Sequence, residues 1–240
     1  MYGTFFQGPA NTNNISEIAY KHRGDSNEVD YSYDNAGNTM IDQDDYEYSY
    51  DYENRIIRIE DSSSTVAEFE YDALGRRIYK YDAIADEATY YYYNAAWQVL
   101  SEYDDSTHKM SYIYGNYIDE VLVRFVGSVC KYFVHDHLYS PVALADSDGS
   151  LLERYEYDAY GNCHVLYPDF SDDADGISDY DNSYLFTGRT LDVLDNGSLK
   201  LQYNRNRYYD YYTGRFFTHD PMGYVDGINL YEYGGSNPVS

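Results

Sequence analysis

The sequence predicts an all-β chain of antiparallel hairpin repeats that coil into a curled spiral sheet and end in an irregular, turn-rich C-terminal segment. Three observations lead there. A Tyr-x-Tyr-Asp unit recurs, its second Tyr falling at positions 33, 50, 71, 93, 114 and 157, in steps of 17, 21, 22, 21 and 43. The last step is close to two periods, with its midpoint near His135-Asp136, so the register persists where the motif fades; a fixed period of this size marks a repeat architecture. No stretch shows the 3.6-residue apolar spacing of an amphipathic helix.

Each unit reads as one hairpin. Tyr-x-Tyr puts both rings on one side of a strand, because side chains alternate. The Asp then opens a four-residue turn that ends at Gly, or at Asn54, which also tolerates a left-handed backbone. A return strand follows, as in Arg55-Ile56-Ile57-Arg58-Ile59, where simple alternation places Ile57 and Ile59 on one face. A period in the low twenties accommodates two strands of about seven residues and two short turns. Roughly six or seven hairpins give about 12–14 strands, more than an open sheet holds without curling, and strand twist sets the hand of the curl.

In chain order, residues 1–28, with Phe5-Phe6 and then a polar stretch, read as a lead-in or the stump of a preceding repeat's strand. Residues 29–156 hold the hairpins. The clearest units are Tyr31–Asn38, Tyr48–Ile56 and Phe69–Ile78; Tyr91–Val99 and Tyr112–Gly115 are weaker, and Tyr155–Asn162 is clear again. Residues 157–240 form the terminal segment. Within it Pro168–Asn182 carries six aspartates. Asp173-Ala-Asp175-Gly176 is a fragment of a calcium loop, but Ser171 holds the leading position and no Glu closes it, so a solvated acidic loop is expected there.

Composition narrows the function. The 240 residues include 35 Tyr, 9 Phe and 1 Trp, and 42 Asp+Glu outweigh 16 Lys+Arg for a formal charge of −26. Tyr favours strands and joins an apolar ring to a wettable tip. Such acidity opposes unassisted binding to nucleic acid or to anionic lipid; it serves solubility or lines a space for a basic cargo. No run approaches the ~18 apolar residues of a membrane span, since Val121–Val134 is interrupted by Arg124 and Lys131, and Met1–Ala10 lacks the basic start and apolar middle of a secretory signal. Cys130 and Cys163 have neither metal nor disulfide-framework spacing; they could pair, but free, buried thiols are expected.

The terminal segment carries a stronger signature: Arg207-Tyr208-Tyr209-Asp210, Thr213-Gly214-Arg215-Phe216, Asp220-Pro221-Met222-Gly223, Asn229-Leu230-Tyr231-Glu232-Tyr233 and Asn237-Pro238-Val239. These resemble, in order and spacing, the core segment of the rearrangement-hotspot (Rhs) or YD-repeat family. Tyr184-Leu185-Phe186-Thr187-Gly188-Arg189 is similar to the family's entry into that core. His135–Pro141 and Asp146–Gly149 resemble its divergent pre-core repeat, with Tyr139 where Gly is usual. The resemblance is tight from Tyr157 on and covers the rest as repeats. It implies a hollow β-shell whose end is closed by the core as a plug, this chain being a partial shell. It further implies a structural, non-enzymatic role in a longer secreted or cell-surface protein that encapsulates and delivers a C-terminal toxin. The partners so implied are the toxin cargo and further YD repeats.

In toxin members of the family the core is an aspartyl autoprotease, and Asp220 matches one carboxylate of its site. The partner belongs to a second D-P-x-G beyond the N-P-V piece. Two carboxylates sharing a proton are needed so that one is base and the other acid, and Ser240 precedes any second motif, so this chain is expected not to cleave itself. Asp210 and Asp226 are weaker substitutes for the missing partner. Asp220 also has a turn-forming role, because Asp-Pro-x-Gly suits a type I turn. Arg205, Arg207 and Arg215 are expected in cation–π and ion-pair packing. His135 and His137 alternate on one strand, but no third ligand is in register, so no metal or cofactor is expected. Rival functions are a surface adhesion or carbohydrate-binding role, for which tyrosine-rich sheets suit sugar stacking, and an autoprotease in its own right. Open edge strands predict self-association.

Overall fold

The aspartates of the repeats set the local geometry. In the computed structural model, which describes residues 17–20, 29–62, 64–225 and 227–238, the Asp72 carboxylate accepts the N–H groups of Leu74 (2.9 Å) and Arg76 (3.0 Å). The Gly75 N–H closes the turn onto the Asp72 carbonyl at 2.9 Å. The same bonds recur at Asp34, Asp51, Asn94, Asp136 and Asp158, and at the opposite rim at Asp42 and Asp146. Each turn needs its fourth residue in the left-handed region. Gly37, Asp45, Asn54, Gly75, Trp97, Tyr139, Gly149 and Gly161 lie there, at φ from 62 to 94°. Tyr139 thus adopts the conformation usual for Gly, and its ring stacks on Tyr117 with centroids 4.3 Å apart.

The strands between these turns form one meander of fifteen, each antiparallel to the next. They are β1 (Glu17–Tyr20), β2 (Val29–Tyr33), β3 (Thr39–Ile41), β4 (Tyr46–Tyr50), β5 (Ile56–Asp61), β6 (Ser64–Tyr71), β7 (Arg77–Asp82) and β8 (Glu87–Tyr93). The wall continues through β9 (Val99–Asp104), β10 (Thr107–Tyr114), β11 (Val121–Val126), β12 (Val129–His135), β13 (Pro141–Ala145), β14 (Leu151–Tyr157) and β15 (Cys163–Leu166). Of the expected lead-in, only β1 is among the described residues. The only helical turns described are short 3-10 segments.

The two rings of each unit have different tasks. The first ring (Tyr31, Tyr48, Phe69, Tyr91, Tyr112, Phe133 or Tyr155) is buried on the inner face. Phe133 and His135 fill the interval where the motif fades: His135 stands 21 residues after Tyr114 and 22 before Tyr157. The second ring stitches one strand to its neighbour. The hydroxyls of Tyr50, Tyr71, Tyr93 and Tyr157 donate to the carbonyls of Thr39, Ile56, Arg77 and Pro141 at 2.6–2.8 Å, each the first residue of the preceding strand.

A register shift precedes that second position in β4, β6, β8, β10 and β12. Such a bulge adds a residue and breaks strict alternation. It corrects the expected pairing of Ile57 with Ile59: Ile56 and Ile59 face inward, 1% and 0% exposed, while Ile57 is 37% exposed.

A second sheet packs on the inner face. It comprises β16 (Thr190–Leu194), β17 (Leu199–Asn204), β18 (Arg207–Asp210) and β19 (Arg215–Phe216), again in sequence order. Bridges from Tyr184 to Thr190 and from Glu232 to Arg215 flank its two edges. Leu194, Leu199, Leu201 and Tyr208 share a core with Tyr48, Ile59 and Phe69, while Leu185, Leu191 and Tyr209 share one with Tyr91, Tyr112 and Tyr155. Cross-sheet ring contacts include Tyr48–Phe217 (4.8 Å), Phe69–Tyr208 (5.5 Å) and Tyr112–Tyr184 (4.9 Å).

Left-handed glycines separate strain from crowding. A methyl at Gly149 meets nothing within 4 Å, whereas one at Gly188 would lie 2.3 Å from the Asp119 carbonyl oxygen. Gly149→Ala should therefore cost about 1–2 kcal/mol from backbone strain alone. Gly188→Ala should cost about 3 kcal/mol or more, because overpacking adds to the strain. Urea unfolding of the two variants checks the order.

Candidate functional site

The wall and the plug meet around charges that apolar patterning does not reveal. The bulge in the β6–β7 hairpin turns both Arg77 and Lys80 inward. Arg77 is 2% exposed and pairs with Asp192 of β16, itself 1% exposed; Lys80 reaches the same carboxylate at 3.1 Å. The Tyr208 hydroxyl accepts from Arg77 at 2.7 Å, and the guanidinium lies 4.3 Å from the Tyr203 ring centroid. Burial alone would raise the Asp192 carboxyl, but Arg77 and Lys80 outweigh it and hold it below its ordinary value. Asp192 is thus a bolt between the sheets.

Two further nodes anchor the Pro168–Asn182 insertion, correcting the expectation of a solvated loop for its second half. Arg124, 1% exposed, donates to the carbonyls of Tyr180 and Asp181. Glu153, also 1% exposed, accepts from the Ser178 hydroxyl and the Asp179 N–H, each at 2.6 Å. Asp175 is exposed and Asp173 half-buried, and no cluster of His, Cys, Asp or Glu with metal-binding geometry occurs among the described residues. Sequence reading missed Arg77, Arg124 and Glu153. Their one signal was a charge placed where the repeat otherwise turns an apolar side chain inward.

Asp220 sits where the sequence placed it, at the head of a turn. Its carboxylate accepts the Met222 N–H (2.8 Å) and pairs with Arg207 (2.7 Å), and its carbonyl accepts the Gly223 N–H (2.9 Å). It lines an open groove of about 730 Å³ with His137, Arg189, Asn204 and Glu232. Asp210 caps a separate turn, accepting from the Tyr212 N–H and the Thr213 hydroxyl; Asp226 lies outside the described residues. The three arginines pack as expected: Arg205 on Asp119, Arg207 over Phe216 at 3.6 Å, and Arg215 over Tyr231 at 4.8 Å. His135 and His137 do not share a strand, because β12 ends at His135 and His137 enters the turn. Cys130 and Cys163 are free and half-buried, less enclosed than expected.

Asp42 and Asp210 line a second cavity, of about 180 Å³, between wall and plug, with Asp44, Asn162, Ser198 and Lys200. Burial pushes the Asp42 carboxyl up to about 6, against the bonds from Tyr48, Asp44 and Tyr46 that favour its ionised form. Burial likewise raises Asp210, and Asp44 adds to the shift.

A family model described as Teneurin YD-shell matches residues 11–239. The tRNA3(Ser)-specific nuclease WapA of Bacillus spizizenii is 31% identical over 98% of this chain, which covers 10% of that protein. Toxin subunit YenC1 of Yersinia entomophaga is 30% identical over 45% of this chain, against 10% of its own length. The chain therefore spans about a tenth of these curated relatives. Among solved structures, the crystal structure of TcdB2-TccC3 aligns with a TM-score of 0.66 at 17% identity, over 99% of this chain and 13% of that one. The Photorhabdus luminescens Tc holotoxin pore also gives 0.66, at 16% identity, over 94% and 12%. These likenesses show the antiparallel β-wall fold. Among the described residues no helix is long and apolar enough to cross a membrane.

The buried charges give two testable outcomes. Arg77→Met should destabilise the protein by about 3 kcal/mol, leaving Asp192 buried with Lys80 alone, and adding Asp192→Leu should restore part of the loss; denaturant titration of both variants tests this. For Asp42, a folded pKa above the unfolded value of about 3.9 means the folded state holds more protons between those pH values, so its contribution to stability falls as pH rises through about 6. Relative to wild type, Asp42→Asn should gain up to about 3 kcal/mol between pH 4 and pH 8, read from urea midpoints across that range.

Proposed function

The chain belongs to the Rhs/YD-repeat family, and on that premise we propose that it is a stretch of container wall, with its plug, from a longer protein that encloses a C-terminal toxin and delivers it outside the producing cell. The observation that carries this reading is the seating of the plug: every first ring of the repeats turns to one face, and the C-terminal sheet packs along that face. A wall so built is a structural element. The toxin and nuclease names of the relatives support a cargo, and further YD repeats would extend the wall at its open edge. Delivery makes the parent protein secreted or surface-borne.

Within this reading Asp220 is half of an aspartyl pair completed by a carboxylate from a longer chain. Its place in the lining of a groove and its ion pair with Arg207 support that role. A carbohydrate-binding surface role and an independent protease remain the rival functions, and the same experiment separates them.

In a native-length parent, the cargo should resist added protease until the wall is unfolded. A parent with a second D-P-x-G should lose mass on incubation, and Asp220→Asn should abolish the loss, while the 240-residue chain stays intact. A cargo digested as fast as the free segment would overturn encapsulation. A parent that stays whole with Asp220 in place would overturn the protease role only.

A further inference from the structure

The outer face of β7–β10 carries a run of aromatic rings that belongs to neither core. Tyr79 pairs with Tyr90, Tyr90 with Tyr103, and Tyr103 with His108 across successive strands. Ring centroids lie 5.0 Å apart for Tyr79–Tyr90, 5.3 Å for Tyr92–Tyr103 and 5.2 Å for Tyr103–His108. Tyr92 is 57% exposed, and none of these rings joins the buried clusters.

Carboxylates border the rings. Glu70 lies opposite Tyr79 across β6–β7, Asp86 accepts the Tyr81 hydroxyl at 2.7 Å, and Asp105 turns the β9–β10 hairpin beside them. Burial, Tyr90 and then Glu68, Glu70 and Asp105 hold the Tyr79 hydroxyl above the usual phenol range, which places those charges near the face. The nearby cations are taken, Arg58 by Glu68 and Lys109 by Glu87, and Glu70, Asp86 and Asp105 have no ion-pair partner among the described residues.

Ring orientation selects the ligand. The three contacts are inclined by 50°, 76° and 69°, so faces and edges alternate. A sugar ring stacks on an open flat platform; inclined rings bordered by unpaired carboxylates instead offer π-faces and counter-charge to a cation. The chain's charge of −26 favours approach of a basic partner over long range.

We propose that the outer face of β7–β10 docks an extended, Lys/Arg-bearing polypeptide segment, with cationic side chains seated against Tyr92 and Tyr103 and along Glu70 and Asp105. The probe is a fluorescent oligo-arginine peptide, titrated by anisotropy against the 240-residue chain at low and physiological salt. Tyr92→Ser with Tyr103→Ser changes no charge, and should weaken binding about tenfold; Tyr92→Ser alone should weaken it in the same direction should the double variant fail to fold. Glu70→Gln with Asp105→Asn should also weaken binding, whereas the remote pair Glu53→Gln with Asp148→Asn should leave it unchanged. Equal affinity for wild type and the tyrosine variants, or an equal loss in the remote pair, overturns the proposal as diffuse charge attraction. Binding of a neutral oligosaccharide that Tyr92→Ser abolishes, without peptide binding, overturns it in favour of a glycan.

Discussion

The architecture depends on one small device, the Asp-capped turn with a left-handed fourth residue. Its carboxylate satisfies two N–H groups that would otherwise be lost at a strand end, and a bulge stands beside most of these turns, as in β4–β5 and β6–β7, though not in β14–β15. Because side chains on a strand alternate, one added residue moves each later side chain to the opposite face. At β5 the device brings Ile56 and Ile59 to the core and turns Ile57 out; at β7 it brings in Arg77 and Lys80. The same turn therefore supplies both the apolar seam and the cations that fasten the plug.

Buried ion pairs are weak sources of stability, since desolvation cancels much of the attraction, but they penalise a wrong partner heavily. Arg77–Asp192 and the Arg124 and Glu153 nodes are suited to fixing one seating of a plug on a wall of near-identical rungs. Leucines and tyrosines alone would pack against a neighbouring rung almost as well as the correct one. The cavity lined by Asp42 and Asp210 is the opposite case, since burial there outweighs the hydrogen bonds that favour ionisation and raises both carboxyls.

Much of this was legible in the sequence because a repeat restates its rules. The period located six hairpin units and a further rung near His135, whose inward ring proves to be Phe133, and Asp followed by a left-handed residue located the turns. What was not legible depended on the bulge. Strict alternation misassigned Ile57, the only mark of Arg77 was a charge at a repeat position otherwise apolar, and nothing in the spacing pointed to Asp192 as its partner, 115 residues away. The insertion misled for a related reason: its aspartates are visible in one dimension, whereas the Arg124 and Glu153 that hold it come from other strands. Asp220 was placed correctly as a turn former, since Asp-Pro-x-Gly encodes that locally.

The tyrosine stitches bear on how such a wall comes apart. Each ties a strand only to its neighbour, as do the backbone ladders, so the meander on its own could be peeled rung by rung from an open margin. The plug shares its cores with rungs from β4 to β15. With it in place, releasing a single rung means disturbing a core shared by many, and the wall is converted from a zip fastener into a lid that gives way all together.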